Sequence, residues 1–136
     1  MSTFSAMDIG RTGMGFSRYW LDTISHNLAN ANTVTGPDEE PFRARFVVAS
    51  PNGGEIVPTG SGVKVADVVE DQGDPVRVYA PDHPLADDEG YVTQAKVDLA
   101  GQLTDMMLAQ RTYQANARTV QTAKEAYETA LQIGRG

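Results

Sequence analysis

The chain has 136 residues, with 11 Lys and Arg against 18 Asp and Glu, a formal charge of -7 and no cysteine. That balance excludes a general nucleic-acid binder, because phosphate binding needs clustered cations and no basic run exists. It also excludes disulfides and thiolate metal sites, and no apolar run approaches the roughly 18 residues of a membrane-spanning helix.

The charge is unevenly placed. Residues 1–32 balance Asp8 and Asp22 against Arg11 and Arg18. Residues 98–136 balance Asp98, Asp105, Glu125 and Glu128 against Arg111, Arg118, Lys124 and Arg135. The whole -7 therefore falls in residues 33–97. Asp8 precedes any basic residue, and Arg11 and Arg18 interrupt the block that a cleavable signal peptide would need to keep apolar.

Ser5 and Asp8 form a weak helix-start signal of the Ser-x-x-acid type. Met14, Leu21 and Leu28 then recur every seven residues, with Ile24 and Ala31 between them and Ser17 as a polar exception. This spacing places the side chains along one helix face. Phe16, Tyr19 and Trp20 widen the stripe, while Gly10, Gly13 and Gly15 each weaken the helix by about 1 kcal/mol relative to Ala. The first turns are expected to order fully only when packed.

Residues 30–42 are rich in Asn, Gly, Pro and acid and read as loop. Phe42–Ala49 alternates like a strand. Asn52-Gly53 predicts a turn, with Glu55–Val57 as the return strand. Gly62–Val69 and the Val76 and Val78 pair add further strands around the Gln72–Pro75 turn, with Pro58 and Pro75 at strand ends or edges. Residues 80–96 read as an extended loop. From Leu99 the three–four positions are Leu99, Leu103, Met106, Gln110, Tyr113, Ala117, Val120, Lys124, Tyr127 and Leu131. Eight of the ten are apolar, too regular and too long for a strand. Gly134 is a plausible stop, and the helix would be on the order of 50 Å long.

The fold class expected is mainly α with a small β insert. Long N- and C-terminal helices pair as a coiled-coil-like hairpin, with a short-strand β module between them. The chain divides into helix at 1–32, loop and β module at 33–97, and helix at 98–136.

Candidate chemical sites are sparse. His26 and His83 lack a second ligand at metal spacing. Asp82, His83 and Asp87 could serve a small metal-dependent hydrolase, but Asp87, Asp88 and Glu89 lack the calcium-loop register, and a solvated acidic loop explains them. Asp38, Glu39 and Glu40 sit in an equally generic turn. The glycines match no phosphate loop. Helix-end and turn chemistry accounts for most of Asn27, Asn30 and Asn32. Tyr113 belongs to the stripe and Asn116 lies off it, as a surface residue or one that bonds a neighbouring subunit.

Taken in order, these segments resemble the flagellar basal-body rod proteins, and most closely those of the proximal rod. Ile24-Ser25-His26-Asn27-Leu28-Ala29-Asn30-Ala31-Asn32-Thr33 is similar to a signature shared by rod, hook and hook-associated proteins. Pro41-Phe42-Arg43-Ala44-Arg45 follows, then Pro81-Asp82-His83-Pro84 and Asp88-Glu89-Gly90-Tyr91-Val92. Asp105-Met106-Met107, Arg111-Thr112-Tyr113-Gln114-Ala115-Asn116, Thr122-Ala123-Lys124 and Ile133-Gly134-Arg135 resemble the C-terminal rod signature. The family-motif residues are thus Asn27, Leu28, Ala29, Asn30, Asn32, Thr33, Tyr113 and Asn116. Ala95-Lys96 and Arg11-Thr12-Gly13-Met14 depart from the usual pattern.

The resemblance implies a structural subunit with no catalytic step, no cofactor, no nucleic acid and no small-molecule substrate. It implies export through the flagellar type III apparatus without a cleaved signal peptide, and a place in a periplasm-spanning tube. Expected partners are other copies of itself, other proximal rod proteins, the distal rod protein, and membrane-ring and export-gate components. The expected assembly interface is Met14, Leu21, Ile24, Leu28, Leu99, Leu103, Met106, Tyr113, Ala117, Val120, Tyr127 and Leu131. An independent helical module that merely dimerises by the same stripes is the rival reading.

Overall fold

The computed structural model describes residues 3–52 and 61–134. Among the described residues two helices, α1 (Thr3–Ala29) and α2 (Leu99–Ile133), flank five strands: β1 (Val34–Thr35), β2 (Arg45–Pro51), β3 (Val63–Glu70), β4 (Val76–Tyr79) and β5 (Tyr91–Gln94). This is the expected class, two long helices around a small antiparallel β module.

The helices run antiparallel. Gly10 lies against Val120, Gly13 lies against Asn116, and Asn27 bonds Gln102. A Cβ added to Gly10 would stand 2.7 Å from Val120 Cγ2 and 3.3 Å from the Asn116 carbonyl oxygen. One on Gly13 would stand 2.6 Å from Asn116 Nδ2, an amide held in place by its bond to the Thr112 carbonyl at 2.9 Å. Ser17 continues the close approach, fully buried with Oγ donating to the Gly13 carbonyl at 2.8 Å. Small residues at three–four spacing thus let the two backbones approach. On this register Thr3 stands roughly level with residue 127, so α2 continues about 10 Å past the start of α1.

The strands form two sheets, one ordered β1-β5-β4 and one pairing β2 with β3. β2 and β3 lie along α1 and are pinned at both ends. Near the C-terminal end of α1, Asn27 bonds the main chain of Arg45. Near the other end, Thr12 Oγ1 accepts the Val63 N–H at 3.1 Å and donates to the Ile9 carbonyl at 2.8 Å. The 15 residues between the pins span about 22 Å, the reach of a seven-residue strand. Gly62, at φ +88, makes the approach possible, because a side chain there would collide with Thr12.

Several sequence expectations need correction. α1 starts at Thr3, ahead of the Ser5 and Asp8 signal. The strand that pairs with β2 is β3, in the register Arg45↔Glu70 to Pro51↔Val63, with an irregularity between Val48 and Ala49. The Gly53 turn, the Glu55–Val57 return strand and Pro58 lie outside the described residues, as does Arg135. Residues 80–96 are not all loop. They contain β5, the centre of the three-stranded sheet, which pairs β1 through Val34↔Gln94 and β4 through Val78↔Val92. β5 has four residues and only Val92 is deeply buried, too short a pattern to reveal alternation. Gly134 does cap α2, its N–H bonding the Ala130 carbonyl at 3.0 Å, but with φ -74 rather than a left-handed angle.

The three glycines of α1 now separate by role. Gly15 is exposed with open space around its Cα, whereas Gly10 and Gly13 are buried against α2. Gly15→Ala is expected to raise stability by about 0.5–1 kcal/mol. Gly13→Ala should lower it by about 1–3 kcal/mol through overpacking. Urea unfolding of the two variants beside the parent measures both, and equal effects would contradict the seam.

Candidate assembly site

The signature segments meet at one junction. Asn27, in the last turns of α1, is fully buried. Its Oδ1 accepts the Arg45 N–H at 2.8 Å, and its Nδ2 donates to the Arg45 carbonyl at 2.7 Å. The second Nδ2 hydrogen reaches Gln102 Oε1 at 2.9 Å. Both donors of the amide are therefore used, on two different elements. Arg43 extends the junction, its guanidinium donating to the carbonyls of Asp71 at 2.9 Å and Gly73 at 3.2 Å. The His26 and Phe42 rings pack 5.4 Å apart across the same gap.

The remaining signature residues have local tasks. Asn30 Nδ2 donates to the His26 carbonyl at 2.9 Å, and its Oδ1 accepts Thr33 Oγ1 at 3.3 Å, closing the end of α1. Ala29 and Asn32 are exposed and Leu28 is half-buried. Asn27 is thus more than a helix-end residue. Asn116 is not a free surface residue either, since it faces Gly13 of α1.

The expected interface residues divide into three groups. Ile24 is buried between the elements. Met14, Leu21, Leu28, Met106, Ala117 and Val120 are half-buried along the helix pair. Leu99, Leu103, Tyr113, Tyr127 and Leu131 are exposed, Leu103 to 50%. The buried positions of α2 are Gln102, Ala109 and Ala123, set around from that stripe. Sequence reading missed Gln102, Met107 and Leu108, the last two more than half exposed. The signal for the seam was available: Gly10, Gly13 and Ser17 recur at helical spacing.

The acidic loop is partly tied down. Asp87 Oδ1 accepts the N–H groups of Tyr91 at 2.8 Å and Glu89 at 3.0 Å, and Oδ2 meets Arg77 at 2.6 Å. The Tyr91 N–H bond is the main reason the Asp87 carboxyl titrates below the ordinary aspartate range, with Arg77 adding to it. His83 serves a turn, its Nδ1 accepting the Leu85 N–H at 3.1 Å. Among the described residues no three His, Cys, Asp or Glu side chains converge to hold a metal ion. No helix there is long and apolar enough to cross a membrane.

Known proteins match the chain along its length. Residues 88–133 match the family described as flagellar basal body rod FlgEFG protein C-terminal. The flagellar basal-body rod protein FlgC of Escherichia coli O6:H1 is 41% identical over 135 residues, covering 99% of this chain and 100% of that protein. The FlgC of Salmonella typhimurium is 39% identical with the same coverage. That of Borreliella burgdorferi is 32% identical over 152 residues, covering 100% of both.

Two outcomes follow from the junction and the loop. Asn27→Ala leaves the Arg45 main chain and Gln102 without partners and should cost about 2–4 kcal/mol in equilibrium unfolding. Asn27→Asp should not recover it, because a carboxylate has no N–H to give; full recovery would contradict the assigned bonds. For Asp87, a folded value below the unfolded one means its contribution is present above the unfolded value and is lost as pH falls through the folded one. Protection of the Tyr91 amide, taken relative to its intrinsic exchange rate, should therefore be full at pH 5 and fall as the pH drops through the lowered titration of Asp87. In Asp87→Ala, which has no acceptor to offer, that protection should already be lost at pH 5.

Proposed function

The chain belongs to the FlgC family of flagellar basal-body rod proteins and is a structural subunit of the basal-body rod, not an enzyme, and from that premise we propose how it assembles. The single observation that carries the proposal is the large apolar surface left on α2. Leu99, Leu103, Met107, Leu108, Tyr113, Leu131 and Ile133 are all more than a third exposed in the folded chain. Apolar side chains in continuous rows need cover, and the contact between α1 and α2 leaves these uncovered. Neighbouring subunits provide that cover. The paired helices pack side by side with those of further copies, of other proximal rod proteins and of the distal rod protein. Together they form the inner wall of a tube that spans the periplasm from the membrane ring outward. Contacts between unlike surfaces, repeated along a screw axis, give an open filament rather than a closed ring. The β module, which carries the net negative charge, lies outward. Torque passes as strain across packed contacts. The subunit reaches its place through the flagellar type III apparatus, with its N-terminal residues retained.

Leu103→Asp tests this reading. The side chain is half exposed, so the helix pair should form as in the parent, with circular dichroism and melting unchanged. In a strain lacking the natural subunit, the variant should fail to restore swimming where the parent succeeds. Normal swimming by Leu103→Asp would overturn the packing role of α2.

A further inference from the structure

We propose that the solvent face of α2 seats on the acidic face of the β1-β5-β4 sheet of a second copy of this chain. The inference rests on the rod-assembly reading above and names one of its contacts. Arg111 and Arg118 stand two turns apart and emerge from one side of α2, away from α1. Both are exposed, and neither has an ion pair among the described residues. Met107, one turn earlier on the same side, is 55% exposed. The strip therefore presents a thioether followed by two guanidinium groups about 10 Å apart.

The matching surface is on the sheet. Arg77 lies 4.6 Å over the Tyr91 ring, and Tyr79 meets the same ring edge-on at 5.2 Å. Residues 77, 79 and 91 therefore share one face, and Tyr79 is 64% exposed on it. Beside them runs a groove of about 610 Å³ lined by Asp38, Asp87, Asp88, Glu89 and Arg77. Four carboxylates face one guanidinium there, and that guanidinium is already held by Asp87 and Glu89. Two acidic loops distant in sequence thus converge beside Arg77, the residue that lies over the Tyr91 ring.

The two surfaces complement one another in kind. Arginine stacks on tyrosine and pairs with carboxylates, and the methionine sulfur packs well against an aromatic edge. Asp38 and Asp88, on separate loops, offer a carboxylate to each of the two arginines. The charge match selects a second copy as the occupant. Because the strip and the groove are different surfaces, each copy can hold one neighbour and be held by another, so the contact extends without closing.

Cross-linking tests the contact, and the natural absence of cysteine makes it clean. Basal bodies carrying a Met107→Cys, Tyr79→Cys double variant, mildly oxidised, should yield a ladder of disulfide-linked dimers, trimers and longer chains. Each single variant should yield none. A double variant present in basal bodies without a ladder, or linked to a different protein, overturns this inference and leaves the rod reading intact. Absence of the parent chain from basal bodies overturns both. A charge exchange covers the case in which the cysteine variant alone fails to assemble. Arg111→Glu with Arg118→Glu should at least halve swim-ring diameter, and adding Asp38→Arg with Asp88→Arg should restore it. No restoration overturns the contact.

Discussion

One buried carboxamide holds three elements of this protein in register. Asn27 satisfies both main-chain groups of Arg45 and still reaches Gln102 at the start of α2. A polar group sealed from water must find partners or forfeit free energy, so its bonding geometry leaves little freedom. Moving α2 by one turn, or sliding β2 by one residue, would strand at least one of these groups. The position of the β module relative to both helices follows from that constraint.

The rest of the packing is the reverse of an ordinary globular core. Among the described residues the buried apolar ones are Ile24, Val92 and five alanines, while Leu99, Leu103, Met107, Leu108 and Leu131 are exposed. Small residues inside allow the two helices to approach closely, which leaves long side chains of α2 facing away from α1. A protein arranged this way draws modest stability from itself and leaves much of its apolar area exposed, the area that the proposed assembly would cover. The same arrangement explains why glycines costly to an isolated helix stand in the middle of α1.

Much of this was legible in the sequence, for definite reasons. The helices announced themselves by apolar spacing sustained over many turns, and the strands β2, β3 and β4 by runs rich in valine. β5 did not, because four residues with one buried side chain carry no readable period. The rotation of α2 was harder still. Periodicity locates an apolar stripe but not what it faces, and here Leu99, Leu103 and Leu131 face solvent while Val120 of the same stripe, with Gln102, Ala109 and Asn116 beside it, turns toward α1. The role of Asn27 depends on a main chain 18 residues away, a relation that no local pattern encodes.

The unequal lengths of the two helices have a mechanical meaning. Since α2 outruns the start of α1 by roughly two turns, a subunit does not end in a flat plane. Stacked pieces with stepped ends overlap like bricks laid in running bond, and no straight crack can cross the wall between courses. In the assembly proposed above, a shaft made of such pieces would resist shear at its joints, where a rotating load would otherwise cut it.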